Sequence, residues 1–226
     1  MNAAPGAAPS RLADLFASAV HRFGTVWADL LVASLAILLV ATLPVAAVEL
    51  AGSGPTVSGT VSILSYAIGY FVFVAFVMLR GLPRPAPAGR VVATYATAVV
   101  TGILAGAILK VLATFVVVVL PFLLFAVPSV AAGDVGPLSA IPLGIVLAAR
   151  NFARTYAVWL ITMVFSLPVL ISMFLVVSAF ADGGTAVLFA LVLSVPIIWP
   201  FSALFVRALY GDLTGRVVVA PQDRSL

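Results

Sequence analysis

The chain has no cysteine and only one histidine, His21. Disulfides, thiolate nucleophiles and cysteine-built metal centres are therefore excluded, and no histidine cluster can form. Charge is nearly as scarce. Only 8% of the 226 residues are charged, where an ordinary soluble domain has roughly a quarter. What fills the gap is apolar: 64% of the residues are hydrophobic and the mean hydropathy is +1.30. A water-facing surface cannot be built from so little polar material, so the composition predicts a protein that sits in a bilayer. It predicts no metal and no cofactor.

The eleven basic residues are ten arginines and Lys110, and they fall in separate clusters. No basic stripe exists that could follow a phosphate backbone, so nucleic acid is not expected as a partner. The opening MNAAPGAAPSRLADLF lacks the basic start and apolar core of a secretory signal. No cleavage is expected, and residues 1–9 read as a disordered tail.

A helix needs about 20 apolar residues to cross ~30 Å of hydrocarbon, with every backbone group bonded internally. Runs of that size predict spans at about 26–48, 59–79, 153–180 and 185–207, and the apolar run from 91 to 132 is too long for one crossing. Arg80, Arg84 and Arg90 lie in one proline-rich loop, Arg150 and Arg154 flank another, Arg207, Arg216 and Arg224 close the chain, and Arg11 and Arg22 precede the first span. Placing all of these in the cytoplasm satisfies the positive-inside rule and leaves Lys110 outside. The chain must then cross an even number of times between 90 and 150. The preferred solution is two spans, about 91–109 and 113–131, with a tight turn at Lys110. The alternative is one long helix to about 120 and a return broken at Pro121 and Pro128.

The fold expected is thus all-α: a polytopic membrane bundle of about six transmembrane helices, a single membrane domain over 10–216 with a tail at 217–226. Both termini are expected in the cytoplasm of a bacterial cell, beneath its inner membrane. Residues 10–24 carry Leu12, Leu15, Phe16, Ala19 and Phe23 at spacings of three and four, which predicts an amphipathic helix in the interface, with Ser10 as its cap. A second interfacial helix is expected at 137–149. Prolines 44, 168, 196 and 200 should bend or interrupt their spans, most strongly in PIIWPF.

Helices in lipid associate through close contact, which small residues at every fourth position permit. Thr94, Ala98, Gly102 and Gly106 form such a ridge in the third span, with Ser62, Ser65 and Gly69 of the second span as a plausible docking partner. Membrane lipids are the expected surroundings. The same ridge is compatible with a membrane-protein partner or a second copy of the chain.

Catalysis needs an acid, a base or nucleophile, and a means of stabilising charge, all converging. No HExxH, no pair of intramembrane aspartates, no serine with a histidine at membrane depth and no P-loop is present. The chain is not expected to be an enzyme. Asp29 is read as favouring the positive end of the first helix, and Lys110 as snorkelling to the outer interface.

Two stretches carry a pattern. In GDVGPLSAIPLGIVLAARNFAR, residues 133–154, Gly133, Asp134, Gly136, Pro137, Leu138, Ala140, Leu147 and Phe152 occur at positions that resemble a block in a bacterial family associated with the glycerophosphoryl diester phosphodiesterase membrane domain. In LYGDLTGR, residues 209–216, Tyr210, Asp212, Leu213 and Arg216 look like that family's tail after the last span. Residue 134 is Asp where the family usually has Glu, and residues 141–146 are apolar or small where it has arginines. The resemblance implies a stand-alone membrane domain without the catalytic domain, and hence an anchor, accessory or scaffold.

Independently, Gly136 before Pro137 is a sound helix start, with Asp134 near its positive end. Asp212 and Arg216, four apart, could pair for ~0.3–0.5 kcal/mol. Asp134 is expected to reach Arg150, Arg154 or Arg216 and fix the cytoplasmic face. The function expected is a structural, anchoring or accessory one. A small transporter or channel for a neutral or amphipathic solute is the alternative, and an intramembrane lipid enzyme the third reading. A polar midplane cavity at Pro196 and Pro200 would favour transport.

Overall fold

The computed structural model describes residues 12–111, 119–181 and 183–215, and within the last range the side chains of all but 183–188 and 191. The expected tails at 1–9 and 217–226, the cap at Ser10, and Arg216 lie outside the described residues. Among the described residues seven α-helices follow in order: α1 (Leu12–Leu50), α2 (Pro55–Arg80), α3 (Ala88–Val111), α4 (Ala126–Ala131), α5 (Pro137–Arg150), α6 (Phe152–Val177) and α7 (Gly183–Leu213). A 3-10 turn, Leu120–Leu123, precedes α4, and no strand occurs among the described residues. The protein is an all-α bundle, and α1, α2, α3, α6 and the part of α7 from Val192 are long and apolar enough to cross a membrane.

The expected amphipathic helix and first span form one continuous helix of 39 residues. No proline interrupts the junction, and one exposed glycine, Gly24, costs a helix only ~1 kcal/mol. The helix is nevertheless bent. Phe16 packs edge-on against Phe201 and Phe205, while Ala41 meets Trp199 across Gly69. In a straight helix the roughly 25 residues between Phe16 and Ala41 would span ~38 Å, yet both approach the same turns of α7. Residues 24–29 are all exposed, between an arm that buries Leu15 and Ala19 and an arm that buries Leu30, Ser34 and Leu38. The bend falls there, at the position glycine weakens.

Of the span expected at 113–131, residues 113–118 lie outside the described residues, and the described remainder is not one regular helix. Helix α3 includes Lys110 and is described to Val111, and residues 112–118, through which the expected turn would continue, lie outside the described residues. The return is broken into the 3-10 turn and α4, as in the alternative with breaks at Pro121 and Pro128. Each proline sits where its missing donor is tolerated: Pro121 in the first positions of the 3-10 turn and Pro128 in the first turn of α4. Gly133 nonetheless lies against the Arg90 guanidinium, at the opposite end of α3 from Val111. The chain has therefore come back along the length of α3.

The prolines within long helices do not break them. Pro44, Pro168, Pro196 and Pro200 all lie inside continuous helices, where neighbouring helices tolerate the lost donors. Around α7 the core gathers Phe73, Phe125, Phe201, Phe205 and Leu209, all almost fully buried. Arg80, Arg90, Arg154 and Arg207 converge at one end of the bundle, called here the basic end, with Lys110 at the other.

Candidate functional site

Two features stand out: a set of polar ties at the basic end, and a cavity near mid-height. The ties begin with the close of α4. Gly133, at φ +80°, takes the left-handed conformation that glycine accepts most readily. The Asp134 N–H bonds the Ser129 carbonyl at 3.0 Å and the Gly133 N–H bonds Val130 at 2.9 Å, a glycine-dependent helix stop. Gly136 then caps α5 in extended conformation, with Pro137 as its first residue.

This fixed turn presents the Asp134 carboxylate to α7, where the Tyr210 hydroxyl donates a short hydrogen bond to it. Two residues on, Asp212 holds Arg154, whose Nη2 lies 2.6 Å from Oδ2, with side chains 26% and 15% exposed for Arg154 and Asp212. Arg154 thus meets Asp212, and the carboxylate of Asp134 meets a tyrosine. Asp134 just before α5 and Arg154 just after it are both tied to the last turns of α7. Helix α5 consequently starts and finishes at the basic end, and its 14 residues cover ~21 Å across that end. Arg150 is exposed in the last turn of α5.

Two further ties have no signal in local sequence. The Arg207 Nη2 donates to the Gly81 carbonyl at 2.7 Å, and a Cβ on Gly81 would fall 1.8 Å from the Arg207 Cζ. Asp29 lies in the interior of α1, where no helix end exists for it to favour. Instead it accepts from Arg80 at 2.6 Å, both side chains half exposed.

Of the small-residue ridge, Thr94, Ala98, Gly102 and Gly106 are all buried. Gly102 packs against the backbone of Ile68 and Gly106 against Leu64, so the ridge faces α2. Gly69, expected to face α3, meets Trp199 and Ala41 instead. A second small stripe was missed although it was visible: Ala140, Gly144 and Ala148 recur at every fourth position of α5 and are buried. Gly144 packs against the backbone of Phe125 and Ala126, which explains the apolar middle of α5.

The cavity holds about 280 Å³ among α2, α3, α6 and α7, with Tyr66, Tyr70, Trp159, Thr162, Trp199 and Ser202 on its wall. A second space of about 330 Å³ between α6 and α7 shares Met163, Ser166, Ile198 and Trp199 with it. Tyr70 and Ser202 bond each other at 2.7 Å. No group of three or more metal-ligating side chains occurs among the described residues. No family model, curated protein or solved structure matches the chain.

Proposed function

We propose that this is a non-enzymatic integral protein of the bacterial cytoplasmic membrane, with a structural, anchoring or accessory role and with its basic end and both termini in the cytoplasm. The observation that carries this reading is how the converging polar side chains of the basic end are used. Asp134 with Tyr210, Arg154 with Asp212, Arg80 with Asp29 and Arg207 with Gly81 each join two separate elements. Groups employed in holding helices together suit a scaffold better than a reaction. The two stretches that resemble the glycerophosphoryl diester phosphodiesterase membrane-domain family touch each other through the first two of these ties, which supports reading the chain as a stand-alone membrane domain of that kind. Membrane lipids, and a membrane-protein partner or a second copy, are the associates this role calls for.

Transport of a neutral or amphipathic solute is the second reading, favoured by the cavity between Tyr70 and Trp199. Reconstituted vesicles separate the two. The accessory role predicts glycerol-driven swelling no faster than in protein-free vesicles, and swelling accelerated severalfold by the protein would favour transport.

A further inference from the structure

We propose that the mid-height cavity is a binding site for the hydrocarbon chain of a bilayer phospholipid, admitted sideways between α6 and α7. Depth argues first. Tyr70 lies ten positions before Arg80 on α2, ~15 Å from the basic end and therefore near the middle of a ~30 Å hydrocarbon layer. At that level the only material outside the bundle is lipid tail. The wall argues second. Thr162, Ser166 and Ser194 donate to the carbonyls of Val158, Thr162 and Ala190 on their own helices, at 2.9, 2.7 and 2.6 Å, and Tyr70 and Ser202 satisfy each other. A buried water needs roughly two to four polar partners, and the lining is mostly apolar, with the donors of Thr162, Ser166 and Ser194 already committed to their own helices. A partly open apolar space of this size, left unfilled, forfeits the contacts of the side chains that line it.

Access argues third. Met163 and Leu167 line the outer space and also stand on the exposed face of α6. The fully buried residues of helix α6, Thr155, Val158, Trp159 and Thr162, all lie in its first half; in the second half Phe165 packs on Phe201 and the remaining residues are at most half-buried. A chain passing between Leu167 and Ile198 reaches Trp199, and beyond it Trp159 and the Tyr70–Ser202 pair. Occupancy of this site is a separate matter from the accessory role.

The chain has three tryptophans, and replacing the exposed Trp27 leaves Trp159 and Trp199, both 7% exposed and both on the cavity wall. The full chain carrying Trp27→Phe is reconstituted in phospholipid bilayers with brominated or ordinary acyl chains. Bromine quenches indole emission at short range, so the site predicts at least twofold quenching. Adding Ser166→Phe, which places a ring where the two spaces meet, should cut that quenching by half or more, while Leu160→Phe on the lipid-facing side of α6 should leave it unchanged. Met163→Phe serves the same purpose should Ser166→Phe fail to fold. Absent quenching, or quenching equal in filled and unfilled variants, overturns the proposal. So does quenching by an added brominated fatty acid but not by the brominated phospholipid.

Discussion

The hydroxyl of Tyr210, near the end of the last helix, bonds the carboxylate of Asp134 in the turn between α4 and α5, 76 residues earlier in the chain. A hydrogen bond to a charged group contributes about 1.5–3 kcal/mol. Tyr210→Phe should therefore destabilise the folded protein by about 1–3 kcal/mol in detergent melting, and Asp134→Ala by a similar amount. Because both variants remove the bond the two side chains share, the double variant should melt higher than additivity predicts, with a coupling of at least ~0.5 kcal/mol. Strict additivity would show that the two side chains do not depend on each other.

Gly81 and Arg207 form a comparable unit of different chemistry. A Cβ at position 81 overlaps the guanidinium, so Gly81→Ala should displace Arg207 from its carbonyl and cost about 1–3 kcal/mol. Arg207→Ala removes the obstruction. Thermal melting should find Gly81→Ala nearly silent in the Arg207→Ala background.

The α2–α3 contact predicts a contrast between two glycines of one helix. At Gly102 a Cβ would come within 2.5 Å of the Ile68 Cα, a backbone atom that cannot move alone. Gly102→Ala should cost about 1–3 kcal/mol, as overpacking does. Gly89 has nothing within 4 Å, and Gly89→Ala should be neutral or stabilise by up to ~1 kcal/mol. Equal melting temperatures for the two variants would mean that α3 does not lie against α2 in this register.

The bend in α1 is open to direct measurement, since a chain without cysteine accepts site-directed spin labels cleanly. Labels at Ala13 and Leu43, both exposed, would stand ~45 Å apart on a straight helix. Electron–electron resonance should find them below about 35 Å if the first arm folds across the basic end. A distance near 45 Å would describe a straight α1 projecting from the bundle.

What could be read in advance follows the range of each signal. The apolar runs, the Gly136–Pro137 start and the small ridge of α3 are local features, and the helices Pro55–Arg80, Ala88–Val111, Pro137–Arg150 and Phe152–Val177 sit where such features lie. Pro121 and Pro128 announced a possible break, but whether a proline breaks a helix depends on its place in the turn. Pro196 and Pro200, flanked by packed helices, leave α7 continuous. The ties at the basic end were half legible: Asp134, Arg154, Tyr210 and Asp212 were singled out, whereas their pairing is set by how the turn before α5 and the start of α6 meet the last turns of α7. Arg207 with Gly81 and Tyr70 with Ser202 join residues 126 and 132 positions apart, and no spacing rule reaches that far. The Ala140, Gly144 and Ala148 stripe was within reach and was obscured by reading α5 only as an interfacial helix.

The central claim is a membrane bundle whose tied, basic end faces the cytoplasm. Single cysteines at Pro85, in the exposed loop between α2 and α3, and at Ala51, in the exposed turn between α1 and α2, report on opposite ends. With a membrane-impermeant maleimide on intact bacterial spheroplasts, the account predicts labelling of the Ala51→Cys variant at once and of the Pro85→Cys variant only after lysis. Labelling of Pro85→Cys in intact spheroplasts, with Ala51→Cys protected, would contradict it.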